Sequence, residues 1–240
     1  MTPFLFPDEV IMCPTDYKSL SPELLAEFSA GAGHDLNNPL AAISGRVQMM
    51  LREESDPAKR ADLAVILTQV KRAQEMITDL RLTSRPPKPQ KTEILFKAFV
   101  ETLRESWADA FREQKVEFRV DGPVDLYINA DETQMMVLFR ALIKNSLRAL
   151  GGAGFIRISW DAPKKGRVKI LVSDSGPGVP PEIRPLIFDP YFSSYQSGRG
   201  LGFGLTKARI IAQMHGGDVT LDESAAETTF VVELDGASGN

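Results

Sequence analysis

The sequence predicts an α+β fold in which an antiparallel helical hairpin precedes a two-layer α/β sandwich. Residues 20–84 contain two long stretches in which apolar residues recur at steps of three and four, as in amphipathic helices. A proline-rich segment over residues 85–91 ends this pattern. Beyond it, helical periods alternate with short strand-like runs, an order typical of a layered α/β domain.

The hairpin is predicted from helix-start signals and apolar stripes. The first helix begins at Ser21-Pro22-Glu23, where a capping hydroxyl precedes a proline at the first helical position. A bend is expected at Pro39, because a proline ring disturbs a helix interior. A turn at residues 53–56 leads to the second helix, which starts with Asp56-Pro57 and ends near Thr83. The two stripes comprise Leu25, Phe28, Ala32, Leu36, Ile43, Val47 and Met50, and Leu63, Ile66, Leu67, Val70, Ala73, Ile77 and Leu80.

Two helices cannot enclose a hydrophobic core, so the apolar seam of the hairpin must be covered. A second copy, giving a four-helix bundle, is the simplest cover and predicts a homodimer. The run Arg85-Pro86-Pro87-Lys88-Pro89 cannot continue a helix, because its prolines force extended backbone. We therefore expect domains over residues 20–84 and 92–240, a semi-rigid hinge over residues 85–91, and a tail or docking strand over residues 1–19.

The second domain is expected to place helices against a mixed sheet. Asp131 is the N-cap of its most apolar helix, and Lys164-Lys165-Gly166 marks a turn between two strands. Helices are predicted over residues 96–114, 135–150 and 205–214, and strands over residues 116–120, 126–128, 155–160, 167–173, 218–221 and 228–234.

Composition disfavours several classes of protein. The net charge of −4 leaves no broad basic field for nucleic acid. The lone Cys13 forms no internal disulfide and has no CxxC partner, which fits a reducing cytoplasm. No stretch approaches the roughly 20 apolar residues of a membrane helix, and residues 1–10 do not form a signal peptide. We expect a cytoplasmic protein with no membrane span and no nucleic-acid partner.

Four segments of unusual composition stand out against this framework. They are His34-Asp35-Leu36-Asn37-Asn38-Pro39, Asn145 in an apolar helix, Asp174-Ser175-Gly176-Pro177-Gly178, and Gly198-Arg199-Gly200-Leu201-Gly202-Phe203-Gly204. In content and order they resemble the H, N, G1 and G2 boxes of two-component sensor histidine kinases. The resemblance runs from about residue 20 to about residue 234, and it implies a Bergerat ATP-binding fold for the second domain.

The resemblance implies that His34 is the phosphoryl acceptor and Asp35 its general base. A neutral imidazole is nucleophilic near pH 7, and a carboxylate can orient the ring and accept its proton. Asn38 follows His34 by four residues and so shares its helix face. In relatives this position orients a water that hydrolyses the partner's phosphoaspartate. His215, the other histidine, is expected to be a helix-end or packing residue.

The resemblance also implies an ATP site. Asp174 would accept the adenine amino group, with Gly176 and Gly178 letting the chain pass beneath the ring. Asn145 would bind Mg²⁺, and Arg148, one turn later, would contact phosphate. Phe188, in a segment similar to the family's F box, would either position the lid or pack in the core. A short lid before a helix N-terminus would close on the phosphates through Gly198, Gly200, Leu201, Gly202 and Gly204.

The predicted function is therefore an ATP-dependent histidine kinase that passes its phosphoryl group to a response-regulator receiver domain. The sequence departs from the family at Ala141, where Asn is common, and Lys144 is an unusual neighbour of Asn145. These departures leave open a non-catalytic dimeric scaffold that uses nucleotide as a conformational ligand. A third reading is an ATPase of the chaperone or DNA-repair kind that clamps as a dimer, against which His34 and its helical hairpin argue.

Overall fold

The computed structural model describes the backbone of residues 22–84, 86–161, 166–190, 192 and 202–235, and the side chains of the first helix from Asp35 onward. Two helices, α1 (Pro22–Glu53) and α2 (Pro57–Ser84), form the predicted antiparallel hairpin. The helix continues through Pro39, so the expected bend does not interrupt it. The predicted tail over residues 1–19 and the Ser21 cap lie outside the described residues.

The turn between α1 and α2 is closed by capping from both sides. The Asp56 carboxylate accepts a hydrogen bond from the Ala58 amide at 2.8 Å, which satisfies a free donor at the start of α2. The Arg60 guanidinium donates to the carbonyls of Leu51 at 2.6 Å and Glu54 at 2.9 Å. These are carbonyls at a helix C-terminus, which lack intrahelical partners. The hairpin is therefore fixed at its tip by Asp56 of the turn and Arg60 of α2.

The hairpin buries one apolar seam and leaves a second one exposed. Val47 of α1 and Leu63 and Val70 of α2 are buried between the helices. On α1, Leu36, Ile43 and Met50 remain 53%, 45% and 47% exposed. Their spacing of seven residues places all three on one helix face. Within the described residues, the chain alone leaves this face uncovered.

The rest of the chain forms a second unit of short strands and helices. Its elements are β1 (Thr92–Leu95), α3 (Phe96–Ser106), α4 (Ala108–Gln114), β2 (Val116–Asp121), β3 (Tyr127–Ala130), α5 (Glu132–Leu150), β4 (Gly154–Trp160), β5 (Arg167–Asp174), a 3₁₀ segment (Pro181–Leu186), α6 (Gly204–Met214), β6 (Asp218–Leu221) and β7 (Thr228–Asp235).

This unit is a two-layer sandwich, which confirms the predicted α+β class. The main sheet has the order β2-β4-β5-β7-β6, with β2 parallel to β4 and the other neighbours antiparallel. Helices α5 and α6 pack on it, and α3 packs on α5. Alternate residues of the central strands face these helices and are buried, namely Ile156, Ile158, Val168, Ile170, Val172, Phe230, Val232 and Leu234.

Two local predictions differ from the structure. The single helix expected over residues 96–114 is two helices, because a tightened turn at Trp107 separates α3 from α4, with its amide donating to the Arg104 carbonyl at 3.2 Å. The strand near residue 128 leaves the main sheet and pairs with β1 in a two-stranded sheet. β1 has only four residues and runs directly into α3, so it shows no period of its own. Lys164-Lys165 lies outside the described residues.

The predicted hinge is held against the start of α5. The Asp131 carboxylate caps α5 by accepting from the Gln134 amide at 3.0 Å, and its second oxygen accepts from the Gln90 amide at 2.9 Å. The Gln134 side chain donates to the Pro87 carbonyl at 2.9 Å. Burial acts to raise the pKa of Asp131, but the amides of Gln90 and Gln134 outweigh it and lower the pKa. The linker is thus attached to the helix that carries Asn145.

His215 connects the end of α6 to the same point. Its side chain is 0% exposed, and its Nε2 accepts from the Asp131 amide at 3.0 Å. Since a backbone amide can only donate, the ring proton lies on Nδ1, which donates to the Ile211 carbonyl at 2.8 Å. Burial lowers the pKa of His215, in spite of the Ile211 carbonyl that acts to raise it. The expectation of a helix-end role is consistent with these contacts.

His215 should make folding stability depend on pH. Because its pKa is lowered in the folded state, the unfolded chain binds more protons, so its stabilising effect is complete above about pH 6.5 and is lost as pH falls below that value. Replacing His215 by Gln should lower the free energy of unfolding at pH 7.5 by about 1–3 kcal/mol and weaken this pH dependence. Urea unfolding at pH 7.5 and 5.5 measures both effects.

The matched control for this experiment is His34→Gln, which removes the only other histidine in the chain. It should retain the pH dependence of the unmodified protein. If His215→Gln and the unmodified protein lost the same stability between the two pH values, the assignment of the pH effect to His215 would be wrong.

Candidate functional site

The site is organised around a buried carboxylate at the end of a strand. Asp174 is the last residue of β5 and is 0% exposed. One carboxylate oxygen accepts from the Ser146 hydroxyl at 2.7 Å and the other from the Gly176 amide at 2.9 Å. Burial raises the pKa of Asp174, and the hydrogen bonds from Ser146 and Gly176 offset this only in part. A buried acceptor of this kind suits a ligand that brings its own N–H donor.

Two polar residues at this carboxylate were missed by sequence reasoning. Ser146 is buried on α5 and donates to Asp174. Thr228 is the residue opposite Asp174 in the β5–β7 pairing, and its buried hydroxyl, like that of Ser146, acts to lower the pKa of the Asp174 carboxyl. The available signals were weak: a serine directly after Asn145 in an apolar helix, and a threonine at the start of a predicted strand. A second buried hydroxyl beside the carboxylate provides further capacity to bind a polar ligand.

Two glycines of the turn after Asp174 are required by the backbone. A Cβ at Gly176 would lie 2.7 Å from Asp174 Oδ1 and 3.3 Å from the Ala149 side chain, so any larger residue would push the carboxylate away from α5. Gly178 has φ = 86°, a conformation that other residues rarely adopt. The turn can therefore pass closely beneath a ligand held by Asp174.

Asn145 lies next to Ser146 on α5 and is half-buried, while Arg148 is exposed one turn later. The amide oxygen of Asn145 is a hard ligand of the type that Mg²⁺ takes from proteins when it also binds phosphates and water. No group of three or more His, Cys, Asp or Glu side chains in the described part of the chain is placed to hold a metal ion. Asn145 fits as a single protein ligand to a metal that phosphates also bind.

The second helix of the site is α6, which begins at Gly204, two residues after Gly202. A helix N-terminus presents amide donors with a partial positive charge, which favours phosphate oxygens. The Thr206 hydroxyl donates to the Phe188 carbonyl at 2.9 Å and so ties α6 to the F-box-like segment. Phe188 itself packs edge-on against Phe230 at 6.3 Å, which supports its role in the core. Gly198, Gly200 and Leu201 lie outside the described residues.

The acceptor motif lies within α1. The backbone of His34 is helical, and its side chain is outside the described residues. Asp35 and Asn38 are both exposed. Their helical spacing keeps Asn38 on the face of His34, as the sequence predicts. The roles of these residues, like those of the pocket residues, remain predictions.

A cavity of ≈ 320 Å³ borders the turn after Asp174. Gly178 and Thr228 line it together with Arg184 and Glu223, whose side chains form an ion pair at 2.9 Å. Its lining includes neither Asn145 nor residues of α6. Asp174, Ser146 and Gly176 are also absent from its lining, so the cavity lies beside the turn and does not include the residues at the buried carboxylate.

Two protein-family models match the chain in succession. Residues 24–88 match the His Kinase A (phospho-acceptor) domain. Residues 130–238 match the histidine kinase-, DNA gyrase B- and HSP90-like ATPase. The second match contains every pocket residue described above, and the first contains His34.

Curated relatives match most of this chain. The signal transduction histidine-protein kinase AtoS of Escherichia coli (strain K12) is 32% identical over 196 residues, which are 81% of this chain and 32% of AtoS. Sporulation kinase C of Bacillus subtilis (strain 168) is 30% identical over 217 residues, 88% of this chain and 49% of the relative. The chain thus spans between about a third and a half of the length of these relatives.

Solved structures agree with the fold. The catalytic domain of histidine kinase ThkA superposes with a TM-score of 0.56 at 26% identity, covering 61% of this chain and 95% of that domain. Full-length ShkA in complex with AMPPNP superposes with a TM-score of 0.75 at 21% identity, and the match covers 92% of this chain and 47% of ShkA. ThkA in complex with the response regulator TrrA superposes with a TM-score of 0.63 at 24% identity, and the match covers 89% of this chain and 62% of that ThkA chain. With a phosphoacceptor hairpin and this ATP-binding domain in that order, the chain belongs to the two-component sensor histidine kinases.

Proposed function

We propose that this chain is an ATP-dependent protein histidine kinase that phosphorylates its own His34. The observation that carries the proposal is the pairing of the buried Asp174 with Ser146 on α5, directly beside Asn145. This arrangement offers one acceptor for a purine amino group and, one residue away, an amide oxygen for a phosphate-bound metal. The same polypeptide carries a histidine followed by a carboxylate on an exposed helix.

The proposed reaction assigns one task to each group. Asp174, supported by Ser146 and Thr228, holds the adenine, and the N-terminus of α6 receives the phosphates. Mg²⁺ on Asn145, when bound, would neutralise phosphate charge. The His34 imidazole attacks the terminal phosphorus, the bond to the leaving ADP oxygen breaks, and Asp35 accepts the imidazole proton. Because ATP is the phosphoryl donor, the proposal also places the chain in the cytoplasm.

Replacing His34 by Gln should abolish transfer of label from γ-labelled ATP, because no other nucleophile is expected to accept it. Nucleotide binding should persist, as measured by displacement of a fluorescent ATP analogue. The phosphate on the unmodified protein should be acid-labile, as a phosphoramidate is. Undiminished, acid-stable labelling of the variant would refute the assignment, and nucleotide binding without any phosphohistidine would favour the non-catalytic scaffold.

A mixed dimer should reveal whether transfer occurs within one subunit or across the pair. A His34→Gln chain retains the nucleotide site, and an Asn145→Ala chain retains the acceptor. If the two are mixed and allowed to exchange subunits, transfer across the dimer should restore about half of the labelling capacity per acceptor, whereas transfer within one subunit should restore none. Each variant alone should be unlabelled, and labelling of Asn145→Ala alone would contradict the role of Asn145.

The proposed partner of the phosphorylated chain is a receiver domain of a response regulator, whose aspartate would take the phosphoryl group. Family membership supports this partner, and the related kinase ThkA is seen in complex with a response regulator. Asn38 is exposed one turn after His34 and can orient a water towards a docked phosphoaspartate. A dephosphorylating activity at Asn38 is therefore part of the proposal.

We further propose that two copies of the hairpin form a four-helix bundle. The exposed stripe of Leu36, Ile43 and Met50 has the seven-residue repeat with which helices pack against partner helices. Ile66 on α2 is 45% exposed and extends the apolar surface to the second helix. Covering this surface with its own copy gives both hairpins the core that one hairpin cannot form.

Replacing Ile43 by Lys should therefore dissociate the dimer, because it would place a charge in the bundle core. Light scattering should show the molecular mass fall to that of a monomer at micromolar concentration. Gln48→Lys is the matched control, since it adds the same side chain to an exposed position roughly 140° around the same helix. A dimer that survives Ile43→Lys, or dissociates equally with Gln48→Lys, would disprove this interface.

A further inference from the structure

An ion pair joins the phosphoacceptor hairpin to the nucleotide-binding unit. The Lys207 ammonium on α6 lies 2.7 Å from the Asp79 carboxylate on α2. The two side chains are only 22% and 17% exposed, so this pair is largely shielded from solvent. Shielding strengthens a direct charge interaction relative to a pair at the open surface. Asp79 is thus a specific contact between the two units and not an incidental surface charge.

A second pair lies one helical turn away. Lys144 Nζ is 3.8 Å from the Glu75 carboxylate, and Glu75 precedes Asp79 by four residues on the same face of α2. Leu82, one turn further along α2, packs against the hydrophobic core of the nucleotide-binding unit. The carboxylates and Leu82 therefore form one continuous docking strip on α2, which faces α5 and α6.

Both lysines are close in sequence to the groups assigned to the phosphates. Lys207 is the fourth residue of α6, within the first turn after Gly202 and Gly204. Lys144 immediately precedes Asn145 on α5. In the docked arrangement the charges of Lys144 and Lys207 face the carboxylates of Glu75 and Asp79. Polyphosphate approaching Asn145 and the start of α6 would meet two lysines already paired with anions, together with the negative charges of Glu75 and Asp79.

The docking strip also lies at the height of the phosphoacceptor. In an antiparallel hairpin, residues at equal distance from the turn at residues 54–56 are neighbours. Counting along both helices, Glu75 and Asp79 are roughly level with residues 31–35 of α1, which include His34. The contact therefore holds the nucleotide-binding unit beside the segment of the hairpin where the reaction is proposed to occur.

We propose that Glu75 and Asp79 are positioning residues that dock the nucleotide-binding unit on α2, and that the phosphates of ATP compete with them for Lys144 and Lys207. Docking through this strip and nucleotide binding are then negatively coupled. This inference rests on the proposed function, because it takes Asn145 and the start of α6 as the phosphate site. ATP loosens the unit from α2 at the point where it must move towards His34.

The coupling is reciprocal, because binding free energies are linked. If ATP weakens docking, removal of the docking carboxylates must strengthen ATP binding. Once ATP is saturating, the strip is already released, so the rate of the chemical step is unaffected. The signature is thus a lower KM for MgATP at unchanged kcat, which a loss of structural integrity would not produce.

The test uses the full chain with Glu75→Gln and Asp79→Asn together. At 50 mM salt, affinity for MgATP, measured by displacement of a fluorescent analogue, should rise roughly three- to tenfold, and the gain should shrink at 500 mM salt as the charges are screened. The matched control, Glu53→Gln with Asp62→Asn, also removes two carboxylates from the hairpin but lies near its other end. It should leave the affinity unchanged.

A distance measurement separates this inference from the proposed function. Spin labels at Thr68→Cys and Lys97→Cys, in a Cys13→Ser background, report the separation of hairpin and nucleotide-binding unit. Without nucleotide the distribution of distances between the two spin labels should be narrow. It should broaden with MgATP, and also in the Glu75→Gln, Asp79→Asn chain. Unchanged or weaker MgATP affinity, an equal gain in the control, or distances insensitive to the two substitutions would overturn the coupling. A chain that docks but binds no nucleotide would instead refute the proposed function.

Discussion

The buried carboxylate of Asp174 is the constraint around which the nucleotide-binding unit is arranged. A carboxylate with no exposure to solvent must be hydrogen-bonded, and α5 supplies that bond through Ser146. This fixes the distance between the end of β5 and the C-terminal half of α5. Gly176 then becomes obligatory, because a side chain there would occupy the space between the carboxylate and α5. The strand, the helix and the turn are thus locked to one another by a single acidic group.

Helix α5 carries this constraint to the rest of the molecule. Its N-terminus is capped by Asp131, which also binds the linker and the buried His215 at the end of α6. Its C-terminal half supports Asp174 through Ser146, with Asn145 alongside. Lys144, which directly precedes Asn145, reaches the phosphoacceptor hairpin. One helix therefore contacts the linker and the phosphoacceptor hairpin, and it carries both Ser146 and Asn145.

The sequence predicted those features whose physical cause is local. The Asp131 cap, the glycine turn after Asp174 and the heptad-like stripe of α1 all depend on residues close together in the chain. Features that depend on tertiary contact were missed. Ser146 and Thr228 become part of the site only because α5 and β7 pack beside Asp174. Likewise, β1 is a strand only because β3 pairs with it. The Asp79–Lys207 pair joins residues 128 positions apart, and no periodicity in the sequence relates residues at that separation.

The proline-rich linker illustrates why the arrangement can change at all. Its composition predicts a semi-rigid hinge, yet its backbone is tied to α5 by hydrogen bonds at Pro87 and Gln90. Each such hydrogen bond stabilises the contact by about 0.5–1.5 kcal/mol net, and an exposed ion pair such as Glu75–Lys144 stabilises it by about 0–1 kcal/mol. A docked state held by a few terms of this size is favoured by only a few kcal/mol. A ligand that binds the undocked state more tightly than the docked state by a similar free energy can reverse that balance. A larger apolar interface would hold the two units together regardless of nucleotide.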